Sequence, residues 1–248
     1  MKGILFFLRD NARWIAGGFL LTFFSTTGQT VFISLSAGHV RSEYGLSNGE
    51  WGLIYMAGTL GSALTLPHLG PIVDRFPVRR IVLFVVGMLA VAAVSMALSN
   101  HVALLVLSVY LLRLFGQGMM THTAYTATAR WFSAQRGRAL SIVVLGHNAG
   151  DAVFTNLFVF VALAIGWRNA WLVAAAALVL AVLPIARLVA VDRAPRARHV
   201  GGGGGSDASR GLRDHHVEPA QILGPRLRYG IRGLVPAVRE QGVSEAPQ

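Results

Sequence analysis

GPIVDRFPVRR, residues Gly70–Arg80, is a short charged segment between two long apolar runs. Loops of this kind join membrane helices, and Lys and Arg are enriched in the loops on the cytoplasmic side. The segment therefore predicts a cytoplasmic loop between two membrane spans. Its order is a glycine, an Asp-Arg pair four residues later and then two adjacent arginines. Composition alone does not separate it from an ordinary basic loop that follows the positive-inside rule.

The composition of the whole chain indicates a membrane protein. Of 248 residues, 54% are hydrophobic and 13% are charged, and the mean hydropathy is +0.55. The net charge of +11 lies in short loops and in the tail, where membrane topology accounts for it, so no nucleic-acid partner is expected. The chain has no Cys, which excludes disulfides and thiolate metal sites, and no cofactor or metal is expected.

Six stretches are long and apolar enough to suggest membrane helices of roughly 20 residues. They are Trp14–Leu35, Trp51–Pro67, Ile81–Leu98, Val102–Thr123, Leu140–Ile165 and Ala170–Val189. The predicted organisation is a cytoplasmic N-terminus over residues 1–13, a six-helix transmembrane bundle over residues 14–193, and a tail over residues 194–248. The tail is rich in Gly, Arg and Pro, and we expect it to be disordered in the cytoplasm.

The distribution of basic residues gives the orientation. Lys and Arg precede the first span and follow the second, fourth and sixth, whereas the opposite loops carry Arg41 and Arg168. By the positive-inside rule both termini are cytoplasmic. The expected location is the plasma (inner) membrane, and the lipid bilayer is the first expected partner.

The spans differ in polarity. Spans three and six are almost wholly apolar, and we expect them to face lipid. Two sets of three helices, each with the third outermost, match an inverted three-plus-three repeat. Span two has small residues at Ala57, Gly58, Gly61, Ser62 and Ala63, a spacing that lets helices pack closely.

Span one carries hydroxyl and amide side chains at helical spacing, ending near Gln29 and Thr30. Such a stripe lines water or substrate, or it packs against a neighbouring helix. The hydroxyls can bond their own helix backbone. Gln29 is harder to satisfy in that way, so it is a candidate for the solute or proton pathway.

Two ionisable residues lie deep in the spans. Arg113 in span four and Asp151 in span five are each about 11 residues from a membrane surface, which at 1.5 Å per residue is roughly 16 Å into a ~30 Å core. Either they form a fixed salt bridge that holds the helices together, or they bind substrate or protons. We favour the second, because ionisable groups at this depth commonly mark pathways.

Polar neighbours extend both positions. On span five, His147 is one turn from Asp151, and Asn148 lies on the same side; on span four, Gln117 is one turn from Arg113. These residues and Gln29 are the predicted substrate or proton pathway. His122 is about half a turn round from Arg113 and is expected to pack against another helix.

Three motifs together resemble the major facilitator superfamily of secondary transporters. GPIVDRFPVRR resembles the loop signature between its second and third helices, RLFGQGMM (Arg113–Met120) its fourth-helix motif, and ARWFSAQRGRALSIVVLGHNAGDAVF (Ala129–Phe154) its next loop and fifth helix. The resemblance runs from Trp14 to Val189. Pro77 departs from the family pattern, which usually has Gly there. Span five lacks the Gly-Pro element of the family's drug antiporters, which disfavours an exporter of that type.

The resemblance implies half of a two-bundle transporter that moves a small solute by alternating access. It also implies that the loop motif takes part in the conformational change through Gly70, Asp74, Arg75, Arg79 and Arg80, with Asp74 helping to close the cytoplasmic side against the other half.

The family has twelve helices, whereas six are predicted here. A truncated or frame-shifted gene, a chain completed by a separate second half, and a half that pairs with itself all explain this. We favour the first and expect that the chain alone does not transport. The alternative function is a non-transporting membrane remnant, or an interaction protein whose cationic tail binds lipid or a partner. An enzyme is disfavoured, because no nucleophile-base pair is evident. The His215-His216 pair is a weak metal signal.

Overall fold

The computed structural model describes residues 2–190 of the chain, with side chains from residue 6 onward. The predicted tail at residues 194–248 and the His215-His216 pair lie outside the described residues. Within them all regular secondary structure is helical, which agrees with the all-α class expected from the sequence.

The first part of the chain folds as a broken helix followed by a hairpin. Helix α1 covers Lys2–Ser25, a 3₁₀ turn covers Thr26–Gly28, and α2 covers Thr30–Ser34. Helix α3 (Ala37–Tyr44) ends at Gly45, whose φ of 64° is left-handed and suits glycine. Helix α4 is Asn48–Leu69, and it begins with a capping box between Ser47 and Glu50.

The remaining helices follow in chain order. The charged loop contains the short helix α5 (Ile72–Arg75), and α6 is Val78–Ala97. Helix α7 (Val102–Leu112) continues through a π-helical segment (Arg113–Met120) into α8 (Thr121–Trp131). Helix α9 is Arg136–Ile165, and α10 is Trp167–Leu188.

Length and hydropathy identify four or five membrane spans among the described residues, where the sequence predicts six. The four are α6, the continuous helix Val102–Trp131, α9 and α10, and the fifth is the pair Phe6–Ser34 and Ala37–Tyr44, bent by 54°. Helix α4 lies where span two is predicted and has 22 residues, but it is not among these spans. Its Ser, Thr, Pro and His residues lower its mean hydropathy. The chain is a polytopic all-helical membrane protein, and the six-span repeat stays a prediction.

Helix α1 crosses the π-helical segment at the level of its own break. A Cβ added to Gly28 would collide with the carbonyl oxygen of Leu112 and would lie 2.6 Å from the Cα of Gly116. Only glycine on both helices allows this approach, which is how small residues bring membrane helices together. Gln29 follows in an extended conformation, with φ −80° and ψ 158°, so the break places it between two helical pieces.

Helix α9 packs against α1 through two glycines one turn apart. A Cβ on Gly146 would meet Thr22, and one on Gly150 would meet Thr26. The hydroxyl of Thr22 donates to the carbonyl oxygen of Val143 at 2.6 Å. Part of the hydroxyl stripe of span one therefore serves helix packing.

The two most apolar spans contribute to both the surface and the core. Helices α6 and α10 pack against each other, and Val86, Leu89 and Leu178 are fully buried. Phe84 on α6 and Leu180 on α10 are exposed, as expected of a lipid-facing side. Yet α6 is the most buried of the four apolar spans and α9 the least. An outer helix still needs an apolar inner face to pack against its neighbours, which explains the burial of α6.

Candidate functional site

Arg113 lies at the start of the π-helical segment and is held by two other helices. Its Nη1 donates to the hydroxyl of Thr30 at 3.0 Å. The hydroxyl of Tyr55, on α4, donates to the same Thr30 oxygen at 2.9 Å. The guanidinium carbon lies 5.6 Å from the centre of the Tyr55 ring, within cation–π range. We call Thr30, Tyr55 and Arg113 the arginine cluster.

The arginine cluster has unused hydrogen-bond donors. The Nε of Arg113 is buried and has no hydrogen-bond partner among the described residues. Thr30 Oγ1 already accepts two bonds, so its own proton is free to be donated. A half-buried cation with an unmet donor beside a free hydroxyl is suited to an incoming acceptor or anion.

The backbone around Arg113 is irregular. The segment Arg113–Met120 is π-helical, a geometry that is rare and frequent at functional sites. It brings Arg113 opposite the break in α1, where Thr30 follows the extended residue Gln29. Both Gln29, which is half-buried, and Gln117, which is exposed, are on the surface of this region.

His147 on α9 is fixed between two other helices. Its Nδ1 lies 3.2 Å from the hydroxyl of Ser25 on α1, and its Nε2 lies 3.1 Å from the hydroxyl of Tyr125 on α8. Because Ser25 donates its proton to the carbonyl oxygen of Thr22, the Nδ1 proton must be donated to Ser25. Nε2 then accepts from Tyr125, and a neutral imidazole satisfies both bonds.

Asp151, one turn beyond His147, has an unmet oxygen. Its Oδ1 is buried without a hydrogen-bond partner among the described residues, and so is the hydroxyl of Thr155. The residue as a whole is half-buried, and Asn148 on the same helix is exposed. The carboxylate is thus a buried acceptor that lacks a donor at Oδ1.

Arg113 and Asp151 do not pair with each other. The ion pairs in the described part of the chain join Arg130 to Asp74 at 3.6 Å and Arg168 to Glu43 at 2.6 Å. The structure therefore contains no fixed salt bridge between Arg113 and Asp151. Each keeps unused hydrogen-bonding capacity instead.

The loop motif contacts the end of α8 that carries Arg130. Asp74 forms its ion pair with Arg130, and both side chains are largely exposed, so the pair adds about 1 kcal/mol at most. A Cβ on Gly70 would lie 3.6 Å from His122 Nε2, which places His122 against the loop. Arg75, Arg79 and Arg80 are exposed and are outside this pair.

A second polar network lies at the opposite end, and only isolated charges in the sequence pointed to it. Glu43 on α3 accepts from Arg168 Nε at 3.2 Å and Nη2 at 2.6 Å, and from Trp167 Nε1 at 3.1 Å. Arg168 Nη1 donates to the carbonyl oxygen of Ala97 at 2.6 Å. These bonds tie α3 to the ends of α6 and α10.

Two residues of the arginine cluster were missed as site residues from sequence. Thr30 belongs to the hydroxyl stripe of span one, which was compatible with packing. Tyr55 lies in the span whose small residues indicate helix packing, and Gly58 does pack closely against Val109. The signal available in the sequence was an aromatic hydroxyl, that of Tyr55, one turn before the packing face at Gly58.

Comparison with known proteins agrees with the motifs. The family model of the Major Facilitator Superfamily matches residues 18–238, which extends past Val189 into residues that the structure does not describe. A curated relative, the probable sulfoacetate transporter of Cupriavidus necator, is 28% identical over 160 residues. The match covers 64% of this chain and 37% of that protein, so the chain spans little more than a third of its relative. Most of the chain matches the family model, and the chain belongs to the Major Facilitator Superfamily.

Proposed function

We propose that the described helices form one wall of a pathway for a small organic anion, and that the chain acts in its secondary transport across the plasma membrane. The observation that carries this proposal is the arginine cluster: a deep cation, held by Thr30 and Tyr55, whose buried Nε has no partner within the described part of the chain. Family membership supports a transport role rather than catalysis.

The charge of the cluster favours an anionic solute. No carboxylate pairs with Arg113 among the described residues, and an unpaired cation at this depth is costly. A carboxylate or sulfonate would pair with the guanidinium through charge-assisted hydrogen bonds and could accept the free proton of Thr30. The relative is a probable transporter of sulfoacetate, which carries both a sulfonate and a carboxylate, so we propose small organic anions of this kind as the substrate class.

Helix α9 supplies a second, acidic position. Asp151 has a buried oxygen that no donor of the described residues reaches, so it offers an open acceptor on this helix. His147, one turn away, is positioned by Ser25 and Tyr125. We assign Asp151 and His147 to proton movement coupled to the solute, with Gln29, Gln117 and Asn148 as further polar lining.

A second bundle has to cover the polar surface. Thr30, Gln117 and Asn148 are exposed, and polar groups that face lipid are unfavourable. A second six-helix half, or another copy of this chain, would bury them and form the opposite wall for alternating access. In that arrangement Asp74 and the arginines of the loop motif lie on the cytoplasmic side.

Uptake of radiolabelled sulfoacetate into proteoliposomes tests this function. The purified chain is reconstituted alone and together with the part of the Cupriavidus necator transporter outside the matched region. We expect saturable uptake only with both parts, and at least tenfold less with Arg113→Gln. Arg136→Gln, an exposed arginine outside the cluster, is the matched control. Uptake that is unchanged in Arg113→Gln would contradict the proposal.

A further inference from the structure

An apolar cavity lies beside the loop motif, where the end of α4, α5 and the start of α6 meet the π-helical segment. Its volume is about 160 Å³. It is lined by Leu69, Ile72, Phe76, Arg80, Ile81, Phe84 and Met119. An apolar cavity of about 150 Å³ is large enough to bind a benzene-sized ligand. The lining of this cavity is therefore suited to a hydrocarbon segment.

The cavity wall reaches the outer surface of the bundle. Phe76 is 50% exposed and Phe84 is 53% exposed. Phe84 lies one turn beyond Arg80 along α6, about 6 Å deeper at 1.5 Å per residue. Because α6 is a membrane span, the exposed ring of Phe84 faces hydrocarbon, while Arg80 lies near the start of the helix.

The lining of the cavity carries one positive charge. Arg80 is the one charged residue of the lining, and Arg75 and Arg79 are exposed nearby in the sequence. Asp74, the acid of this loop, is already paired with Arg130. A basic surface at the membrane interface attracts anionic lipid headgroups.

We propose that this cavity binds an anionic phospholipid, with part of one acyl chain in the cavity and the phosphate on the guanidinium of Arg80. A soluble phosphate would gain the charge contact alone, whereas the apolar lining of the cavity favours a ligand that also carries a hydrocarbon chain. The site shares no residue with the arginine cluster, so it does not depend on the proposed transport function.

Native mass spectrometry of the full chain in detergent tests the lipid site. Phosphatidylglycerol and phosphatidylcholine with identical acyl chains are titrated, and their dissociation constants are compared. We expect phosphatidylglycerol to bind about fivefold more tightly, since a basic residue near an anionic membrane surface contributes about 1 kcal/mol. Arg80→Gln should remove this preference, and Arg136→Gln should retain it.

A second variant separates the contribution of the lipid's acyl chain from that of its headgroup. Ile72→Trp fills the cavity and keeps every charge, so it should weaken both lipids. Arg80 is exposed, so Arg80→Gln is not expected to impair folding. If Ile72→Trp does not fold, the lipid preference of Arg80→Gln alone tests the proposed site. Equal affinity for the two lipids, a preference that survives Arg80→Gln, or full displacement of the lipid by equimolar glycerol phosphate would overturn the proposal.

Discussion

The Nη1 of Arg113 donates to the hydroxyl of Thr30 at 3.0 Å, and this bond joins the π-helical segment to the break in α1. Two departures from regular helix geometry therefore meet at one hydrogen bond. Tyr55 completes the arrangement from α4. Because the polar groups come from three helices, any relative movement of these helices would change the contact between Arg113 and a bound solute.

The two deep charges should behave independently. Arg113→Ala removes the hydrogen bond to Thr30 and should lower the free energy of unfolding in detergent by about 1–3 kcal/mol. Asp151→Ala removes a buried oxygen that lacks a donor among residues 2–190, so it should be neutral or stabilising. In the double variant the two effects should add within about 0.5 kcal/mol. A coupling energy above about 1 kcal/mol would show that Arg113 and Asp151 interact directly.

The crossing of α1 and the π-helical segment should not tolerate a methyl group. In Gly28→Ala the new Cβ would collide with the backbone of Leu112 and Gly116, which cannot rotate away. We expect a loss of about 1–3 kcal/mol from overpacking. The matched control is Gly87→Ala on α6, where a Cβ meets nothing within 4 Å and alanine favours the helix. Thermal unfolding of both variants checks this, and equal melting temperatures would contradict it.

Much of the architecture was predictable because long apolar runs and short charged loops alternate along the sequence. The charged loop and the apolar runs follow from residue type and spacing. Whether the side chains of Arg113 and Asp151 meet depends on how the helices are rotated about their axes, and a single sequence does not contain that angle. The interpretation as a possible salt bridge could therefore be settled only by the structure.

The network at the other end of the bundle should depend on the charge of Glu43. In Glu43→Gln the charge-assisted bonds from Arg168 become bonds to a neutral amide. Because both side chains are partly exposed, the free energy of unfolding should fall by about 1 kcal/mol at most. Thermal unfolding in detergent checks this, and a loss of several kcal/mol would contradict it.

The predicted orientation can be tested on a background without native Cys. Pro77 in the loop motif and Ser42 on α3 are both exposed, whereas Val78 is 1% exposed and would be a poor reporter. In intact spheroplasts, a membrane-impermeant maleimide should label Ser42→Cys and leave Pro77→Cys unlabelled until the membrane is opened. Labelling of Pro77→Cys in intact cells would place the loop motif outside.

The candidate site was predictable only in part, for a related reason. Arg113 stands out because a charge deep in an apolar span is rare. Tyr55 does not, since an aromatic residue in a membrane helix usually packs, and its hydroxyl became relevant only through the contact with Thr30. The π-helical geometry is likewise not encoded in the hydropathy of RLFGQGMM.

Equilibrium binding of radiolabelled sulfoacetate to the purified chain tests most directly whether Arg113 binds an organic anion. A charge-assisted pair contributes about 1.5–3 kcal/mol, which is a factor of about 10 to 150 in the dissociation constant. We expect saturable binding by the wild-type chain, a loss of at least tenfold in Arg113→Gln, and unchanged binding in Arg136→Gln. Saturable binding with the same affinity in Arg113→Gln, or no binding by the wild-type chain, would contradict the assignment of Arg113 as the anion contact.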